Sequence, residues 1–235
     1  VPSLLRGFSA PVILDCDYSD AQLLTLLAHD SDPFNRWEAA QRLSLRRAIN
    51  FIAPHADSVR AADEIVLDDG YIGALRGILR NPTLDPAFKE LVLTLPSEAY
   101  IAEQLDAVDP QRIHAVREAM REQLARALRS DWEWAFEAHR DNGAYRPDPV
   151  SSGRRALAGL ALSQLCLAAR LDGDAVWPGK ALQRFKDAGN MTDRFNALAA
   201  LVSGGHELAA PALARFHALF RDEALVLDKW FALQA

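Results

Sequence analysis

The chain has 235 residues, half of them hydrophobic, enough to build one large domain or two small ones around a sizeable core. Its 26 basic and 32 acidic side chains are interspersed and leave a net charge of -6, so there is no basic field to collect phosphates, which argues against nucleic acid as a partner. No stretch reaches the roughly 18 consecutive apolar residues of a membrane span, and the first residues lack a charged region followed by an apolar run and a cleavage site, so the expectation is a soluble chain without a targeting signal or a membrane partner.

The first stretch, VPSLLRGFSAPVIL, differs in character from the rest of the chain. Pro2, Gly7 and Pro11 punctuate two short apolar segments, Leu4 to Phe8 and Val12 to Leu14, which predicts one bent strand or two short ones at a sheet edge. No second strand pattern occurs, so its pairing partners are expected outside this sequence or in a second copy. From Ser19 onward the pattern is helical. Ser19 and Asp20 cap a helix carrying Leu23, Leu24, Leu26 and Leu27, and Asp32-Pro33 opens another with Trp37, Leu43, Ile49 and Ile52 on its apolar side. A third is expected from Ser58, with Ile65, Val66, Ile72, Leu75 and Leu79 inward and an interruption or turn at Leu67 to Gly70.

Asp85-Pro86, Ser97 and Asp109-Pro110 are further N-cap signals, the prolines falling where a missing N–H costs nothing. The helix from Pro110 is expected to be the longest, running to about His139, where DNGAYRPDP breaks it. Shorter helices come next over about 152–170, 175–186, 192–202, 207–220 and 223–234, joined by LDGD, DAGNMTD and SGGH. Turns this short stack consecutive helices as antiparallel neighbours, and no fixed repeat length shows. The predicted fold class is mainly α, an irregular helical superhelix of α-solenoid type preceded by an orphan β-strand segment, with a compact helical bundle as the alternative.

Motifs that carry chemistry are hard to find. His206-Glu207 opens like a zinc helix of the His-Glu-x-x-His type, but position 210 is Ala and the next histidine is His217, too far along to share the face. His114 and Glu118 stand one turn apart without a third ligand nearby and read as an exposed helical pair. His29, His55 and His139 fall near helix C-termini, where a cation suits the dipole. Asp15, Asp17 and Ser19 alternate like a calcium loop, yet Asp20 and Leu26 occupy the positions that need Gly and Glu. There is no Gly-x-Ser-x-Gly elbow, dinucleotide fingerprint or Walker loop. Arg42, Arg46, Arg47, Arg154 and Arg155 read as solvated helix faces. In DWEWAFEAH, Trp132 and Phe136 share a face while Trp134 points elsewhere, which reads as packing between helix layers or as a docking site for another domain. Cys16 and Cys166 are too few and too far apart for a disulfide framework, and Asp15 and Asp17 disfavour a thiolate at Cys16.

Five segments taken together are more telling: SLLRGFSAPV (3–12), HDSDPFNRWEAAQRL (29–43), LTLPSE (93–98), NMTDRFNALAAL (190–201) and LDKWFALQA (227–235). In this order they resemble the C-terminal part of the bacterial aminopeptidase N family, the alanyl aminopeptidases among the gluzincin zinc metallopeptidases. The resemblance implies a parent that removes N-terminal residues from peptides. There, His-Glu-x-x-His with a downstream glutamate holds zinc, the motif glutamate activates water, and a Gly-x-Met-Glu-Asn motif grips the substrate amine. None of these motifs occurs in this sequence. No catalytic, cofactor-binding or metal-ligating residue is therefore assigned here, and zinc is expected only in the parent.

The same resemblance implies that residues 1–17 end a β-sandwich linker domain. Residues 18–235 would be the first part of a C-terminal helical superhelix that closes over the active site. The expected partners are the parent's own catalytic domain and its peptide substrates, and the expected location is cytoplasmic. Leu227, Trp230 and Phe231 share one face of the last helix and are expected to pack on helices outside the sequence, so the isolated chain is expected to self-associate. A free-standing helical scaffold that binds a protein partner is the alternative function.

Overall fold

The computed structural model describes residues 1–12, 16–52, 65–140 and 143–234. Among the described residues the secondary structure is helical throughout and no strand occurs. The chain divides into two compact units, Val1–Ala127 and Leu128–Ala235.

The first unit holds α1 (Asp20–His29), α2 (Pro33–Ile52), α3 (Asp69–Arg80), α4 (Pro86–Leu93), α5 (Glu98–Ala102) and α6 (Pro110–Ala127). At its centre α2 packs against α1, α4, α5 and α6. The buried face of α2 joins Ala39, Ala40, Leu43 and Ala48 to three polar residues, Gln41, Ser44 and Arg47. Alanines let neighbouring helices come close, and the polar groups are tolerated because each has a partner. Ser44 Oγ shares a hydrogen bond with the Tyr71 hydroxyl at 2.7 Å, Gln41 Nε2 donates to the Thr94 carbonyl at 3.1 Å, and Arg47 Nη2 donates to Asp68 at 2.6 Å. The Arg47 guanidinium also lies over the Tyr71 ring, 4.6 Å from its centroid, and burial pushes the Tyr71 hydroxyl up to about 12.

The second unit holds α7 (Arg129–His139), α8 (Pro149–Asp172), α9 (Val176–Asp187), α10 (Met191–Ser203), α11 (Ala209–Phe220) and α12 (Ala224–Ala232). The 24-residue α8 packs against α7, α9 and α10, and from Leu165 to Ala169 every residue is buried. A helix that is apolar on all sides needs neighbours on all sides. Glycine gives two close approaches: a Cβ at Gly159 would stand 2.6 Å from the amide nitrogen of Asn196 on α10, and one at Gly204 would stand 3.1 Å from Cys166 Cβ on α8.

Side-chain caps decide where most helices start. Ser19 and Gln22 form a capping box on α1, and Asp68, Asp85, Ser97, Asp148 and Asn190 each accept a backbone N–H at the start of the adjoining helix. Arginines finish many of the other ends. Carbonyls left open at a helix C-terminus receive a guanidinium from another helix: Arg36 donates to Leu27 and Ala28 of α1, Arg112 to Phe51 of α2, Arg76 to Ala127 of α6, Arg154 to Ala138 of α7, and Arg194 to Phe185 of α9 and to Ala188 just beyond it.

Several expectations are corrected. Leu4 to Phe8 is not a strand: Arg6–Phe8 is a 3₁₀ turn, with φ of 53° at Leu5, 61° at Gly7 and 55° at Phe8, in the left-handed region that no strand uses. Lacking a strand partner, the segment satisfies its polar groups on the corner between α1 and α2. Residues 13–15, including Ile13 and Leu14, lie outside the described residues. The single helix expected from Pro110 to His139 is two, divided at Leu128 (φ -109°, ψ 18°), so α8 is the longest among the described residues. Ser58 lies outside the described residues; α3 starts later, because Leu67 to Gly70 holds its N-cap Asp68, and Val66 is exposed. The helix expected from about 152 begins at Pro149, on an Asp-Pro cap of the kind seen at Asp85.

Two glycines predict opposite outcomes. Gly159→Ala gains about 1 kcal/mol of helix propensity but forces Asn196 off its hydrogen bond to the Arg155 carbonyl. Overpacking of this kind costs about 1–3 kcal/mol, so urea unfolding should show a net loss of about 1 kcal/mol. Gly73→Ala in α3 meets nothing within 4 Å and should stabilise by about 0.5–1 kcal/mol. Asp68 sets an acid limit. Partial burial pushes its carboxyl up, but the Tyr71 N–H and the Arg47 guanidinium outweigh that, and its pKa is lowered. The stability it contributes is full above the unfolded value of about 3.9 and is lost as pH falls through the lower folded value. Urea midpoints measured from pH 6 downward should drop below about pH 4, and less steeply for Asp68→Asn.

Candidate interaction surfaces

The residues singled out for metal chemistry are dispersed. His114 Nδ1 meets Glu98 Oε1 at 2.8 Å rather than Glu118, which accepts from Arg121 at 2.6 Å. His206 Nδ1 accepts the Leu208 N–H, and His217 stacks on Trp230 with centroids 4.9 Å apart. His29 and His139 end α1 and α7, at the negative pole of each helix, while His55 lies outside the described residues. Ser19 is the cap of α1, and Asp15 is outside the described residues. Among the described residues no three His, Cys, Asp or Glu side chains converge as metal donors.

The arginine groups need correction. Arg42 and Arg46 are half-exposed, but Arg47 and Arg155 are buried. Arg47 also approaches Asp20 at 3.2 Å, and Arg155 donates to the Arg146 carbonyl and lies over the Tyr145 ring, 4.6 Å from its centroid. Arg47 is held by acceptors on Asp68 and Leu43, while Arg155 is met through Nη2 and the Tyr145 ring and its Nε is a buried donor with no hydrogen bond among the described residues, a pattern invisible in the spacing of the arginines.

On the first unit, the N-terminal segment is clamped to the α1–α2 corner. Arg6 donates to Asp30 at 3.1 Å and Ser31 at 2.5 Å, the Gly7 N–H to Asp32 at 3.1 Å, Asn35 Nδ2 to Ser3 Oγ and the Leu4 carbonyl, and the Tyr18 hydroxyl to the Pro2 carbonyl. The N–H groups of Asn35 and Gly7 outweigh desolvation and hold the Asp32 carboxyl below its ordinary value. Phe8, 72% exposed, packs at a tilt against Phe34 with centroids 4.7 Å apart.

The second unit carries two surfaces. One is a cleft of about 640 Å³ between the end of α7, the loop at 143–145, α9 and the turn into α10, with Phe136 and Tyr145 among its walls. Phe136 is fixed edge-on against Trp177 at 5.5 Å, and Trp132 is fully buried, so the aromatic cluster of α7 serves packing and contributes one wall of the cleft. The other is α12, on which no residue is buried. Trp230 donates to the Leu213 carbonyl at 3.0 Å and Leu227 is half-covered, whereas Leu225 and Phe231 are 80% and 61% exposed.

Consecutive packed helices with arginine-closed ends, and surfaces in place of a donor cluster among the described residues, define a helical-repeat scaffold. The chain belongs to the DUF3458_C family, a domain of unknown function with ARM repeats, whose model matches residues 20–235. Over all of its length it is 37% identical to aminopeptidase N of Caulobacter vibrioides and 33% identical to aminopeptidase N of Escherichia coli, and it spans 26% of each of those proteins. Among solved structures, aminopeptidase A of Legionella pneumophila, determined in complex with aspartic acid, superposes with a TM-score of 0.78 at 25% identity, over 98% of this chain and 27% of that one. The resemblance read from the five segments therefore holds along the whole chain.

The two thiols should differ sharply in reactivity. Cys166 is fully buried on α8 and burial pushes its thiol up to about 12, whereas Cys16 is half-exposed. A maleimide at pH 7 should label one equivalent, at Cys16, and the second thiol only in denaturant; two equivalents in the native protein would contradict the packing of α8.

Proposed function

We propose that this chain is a non-catalytic helical part of a larger zinc-dependent aminopeptidase, which removes N-terminal residues from peptides, and that its role is to enclose and gate the active-site chamber. The observation that carries the reading is coverage: every residue aligns with aminopeptidase N, yet the alignment takes up only 26% of that protein. Helical structure throughout the described residues, together with the match to an ARM-repeat family, supports a role in shaping a chamber. Closing such a chamber excludes folded proteins and admits short peptides. In this proposal residues 1–17 end the preceding linker domain and residues 18–235 form the superhelix, a boundary supported by a family match that starts at residue 20. The working location is the cytoplasm.

The side chains present do not fit zinc. His114 has Glu98 beside it and no third donor among the described residues, so the metal and the general base are assigned to the remainder of the parent.

An immunoblot of the source cells with antibody to this chain tests the reading. A band roughly four times heavier than 25.9 kDa, in keeping with the 26% coverage, is expected. A band at 25.9 kDa alone would favour a free-standing scaffold. The purified chain should hold no stoichiometric zinc and release no nitroaniline from alanyl p-nitroanilide; stoichiometric zinc together with nitroaniline release would overturn the proposal.

A further inference from the structure

Lys180 and Asp187 line the unit-two cleft from one helix, α9. Seven residues apart, they share a face and stand two turns, about 10 Å, from each other along the axis. Among the described residues both lack a charged partner. The Lys180 ammonium rests 3.9 Å from the centroid of the Trp177 ring and makes no ion pair or hydrogen bond among the described residues. Asp187 accepts only from the Gln183 amide, at 2.7 Å. The other described charges that line the cleft are matched within it: Arg184 with Asp193 at 2.9 Å, and Arg140 with Glu137 at 3.7 Å. Among its described residues the cleft thus presents one unpaired cation and one unpaired anion, on helix positions two turns apart.

We propose that this cleft binds a short zwitterionic peptide of about three residues laid along α9, its C-terminal carboxylate on Lys180 and its N-terminal ammonium on Asp187. An extended chain advances about 3.3–3.6 Å per residue, so three residues cover the rise between the two helix positions and the flexible Lys180 stem meets the carboxylate, while a single amino acid covers only about a third of that rise. Gln183, between the two, donates its amide nitrogen to Asp187 and offers its amide oxygen to a peptide N–H, and Phe136 supplies an apolar wall. The cavity, about 640 Å³, is of ligand-pocket size. Ion pairs at exposed groups are weak, so the complex is a millimolar one that forms when peptide accumulates. The inference goes beyond the proposed function and stands without it, because binding is read here with no hydrolysis.

The test is a titration of the ¹⁵N-labelled chain with tri-alanine, tri-alanine amide, N-acetyl-tri-alanine and di-alanine, tracking the backbone amides of α9. Tri-alanine is expected to give saturable shifts, with at least threefold weaker binding after amidation, after acetylation, or for di-alanine. In Lys180→Met the penalty for amidation disappears and that for acetylation stays; in Asp187→Asn the pattern reverses. Both side chains are exposed, and unchanged thermal melts of the variants confirm that the fold is kept. Absence of saturable shifts at millimolar peptide, equal binding of free and blocked peptides, or variants that keep both penalties would each overturn the inference.

Discussion

Each unit depends on one helix that must be buried on several sides. In the first this is α2, against α1, α4, α5 and α6; in the second it is α8, against α7, α9 and α10. A buried leucine contributes about 1.5–3 kcal/mol, whereas ordering a residue costs about 1–2 kcal/mol in backbone entropy alone, so a helix this enclosed must fill its neighbours' grooves closely to be net stabilising. Small residues make that possible. Ala39, Ala40 and Ala48 on α2, and Ala158, Ala161, Ala168 and Ala169 on α8, are buried where larger side chains would hold the partners apart. Gly159 and Gly204 mark the tightest points, where a Cβ would meet Asn196 or Cys166.

Once the central helices are fixed, the remaining difficulty is at helix ends, where four N–H and four carbonyl groups lack intrahelical partners. The N-termini use Ser, Asp and Asn side chains close in sequence, and for that reason they are legible. Ser19, Asp85-Pro86 and Ser97 act as expected. Asp148-Pro149 carries the same signal, masked by its place inside a stretch that reads as a breaker. The C-termini closed by arginine are not legible, because their partners come from other helices: nothing local connects Arg112 with Phe51, or Arg194 with Phe185. The break at Leu128 is hidden for a related reason. No Gly or Pro marks it, and a fully buried leucine in a helical pattern reads as continuation.

The beginning of the chain misleads in a different way. Pro2, Gly7 and Pro11 are genuine punctuation, but short apolar segments between turn formers suit a strand only if another strand takes up their N–H groups. Here Asp32, Asn35 and Arg6 offer a competing set of partners, and the backbone bends through left-handed conformations at Leu5 and Phe8 to use them. Those hydrogen bonds link residues 24 or more apart and have no sequence signature. On α12 the amphipathic pattern is legible, including the apolar character of Trp230 and Phe231, but not which of the two is covered: Trp230 finds the Leu213 carbonyl, and Phe231 stays open.

The use of arginine at helix ends also explains why the cleft on α9 stands out. Of the 26 basic side chains only four are lysines, and Arg36, Arg112, Arg194, Arg47 and Arg129 close helix ends or meet carboxylates. A guanidinium suits that work because it stays charged and offers five donors in a fixed fork, so it can satisfy two carbonyls or a carbonyl and a carboxylate at once. An ammonium on a flexible stem suits it less, and Lys180, held over Trp177 without an anion among the described residues, is not engaged in it. Periodicity places Lys180 and Asp187 on one face of α9, but only the three-dimensional arrangement separates them from Arg184, whose charge Asp193 neutralises. Among the described residues Lys186 and Lys229 also lack an anion, so what sets Lys180 apart is its place: it shares a cleft wall with a carboxylate, Asp187, that has no cation of its own.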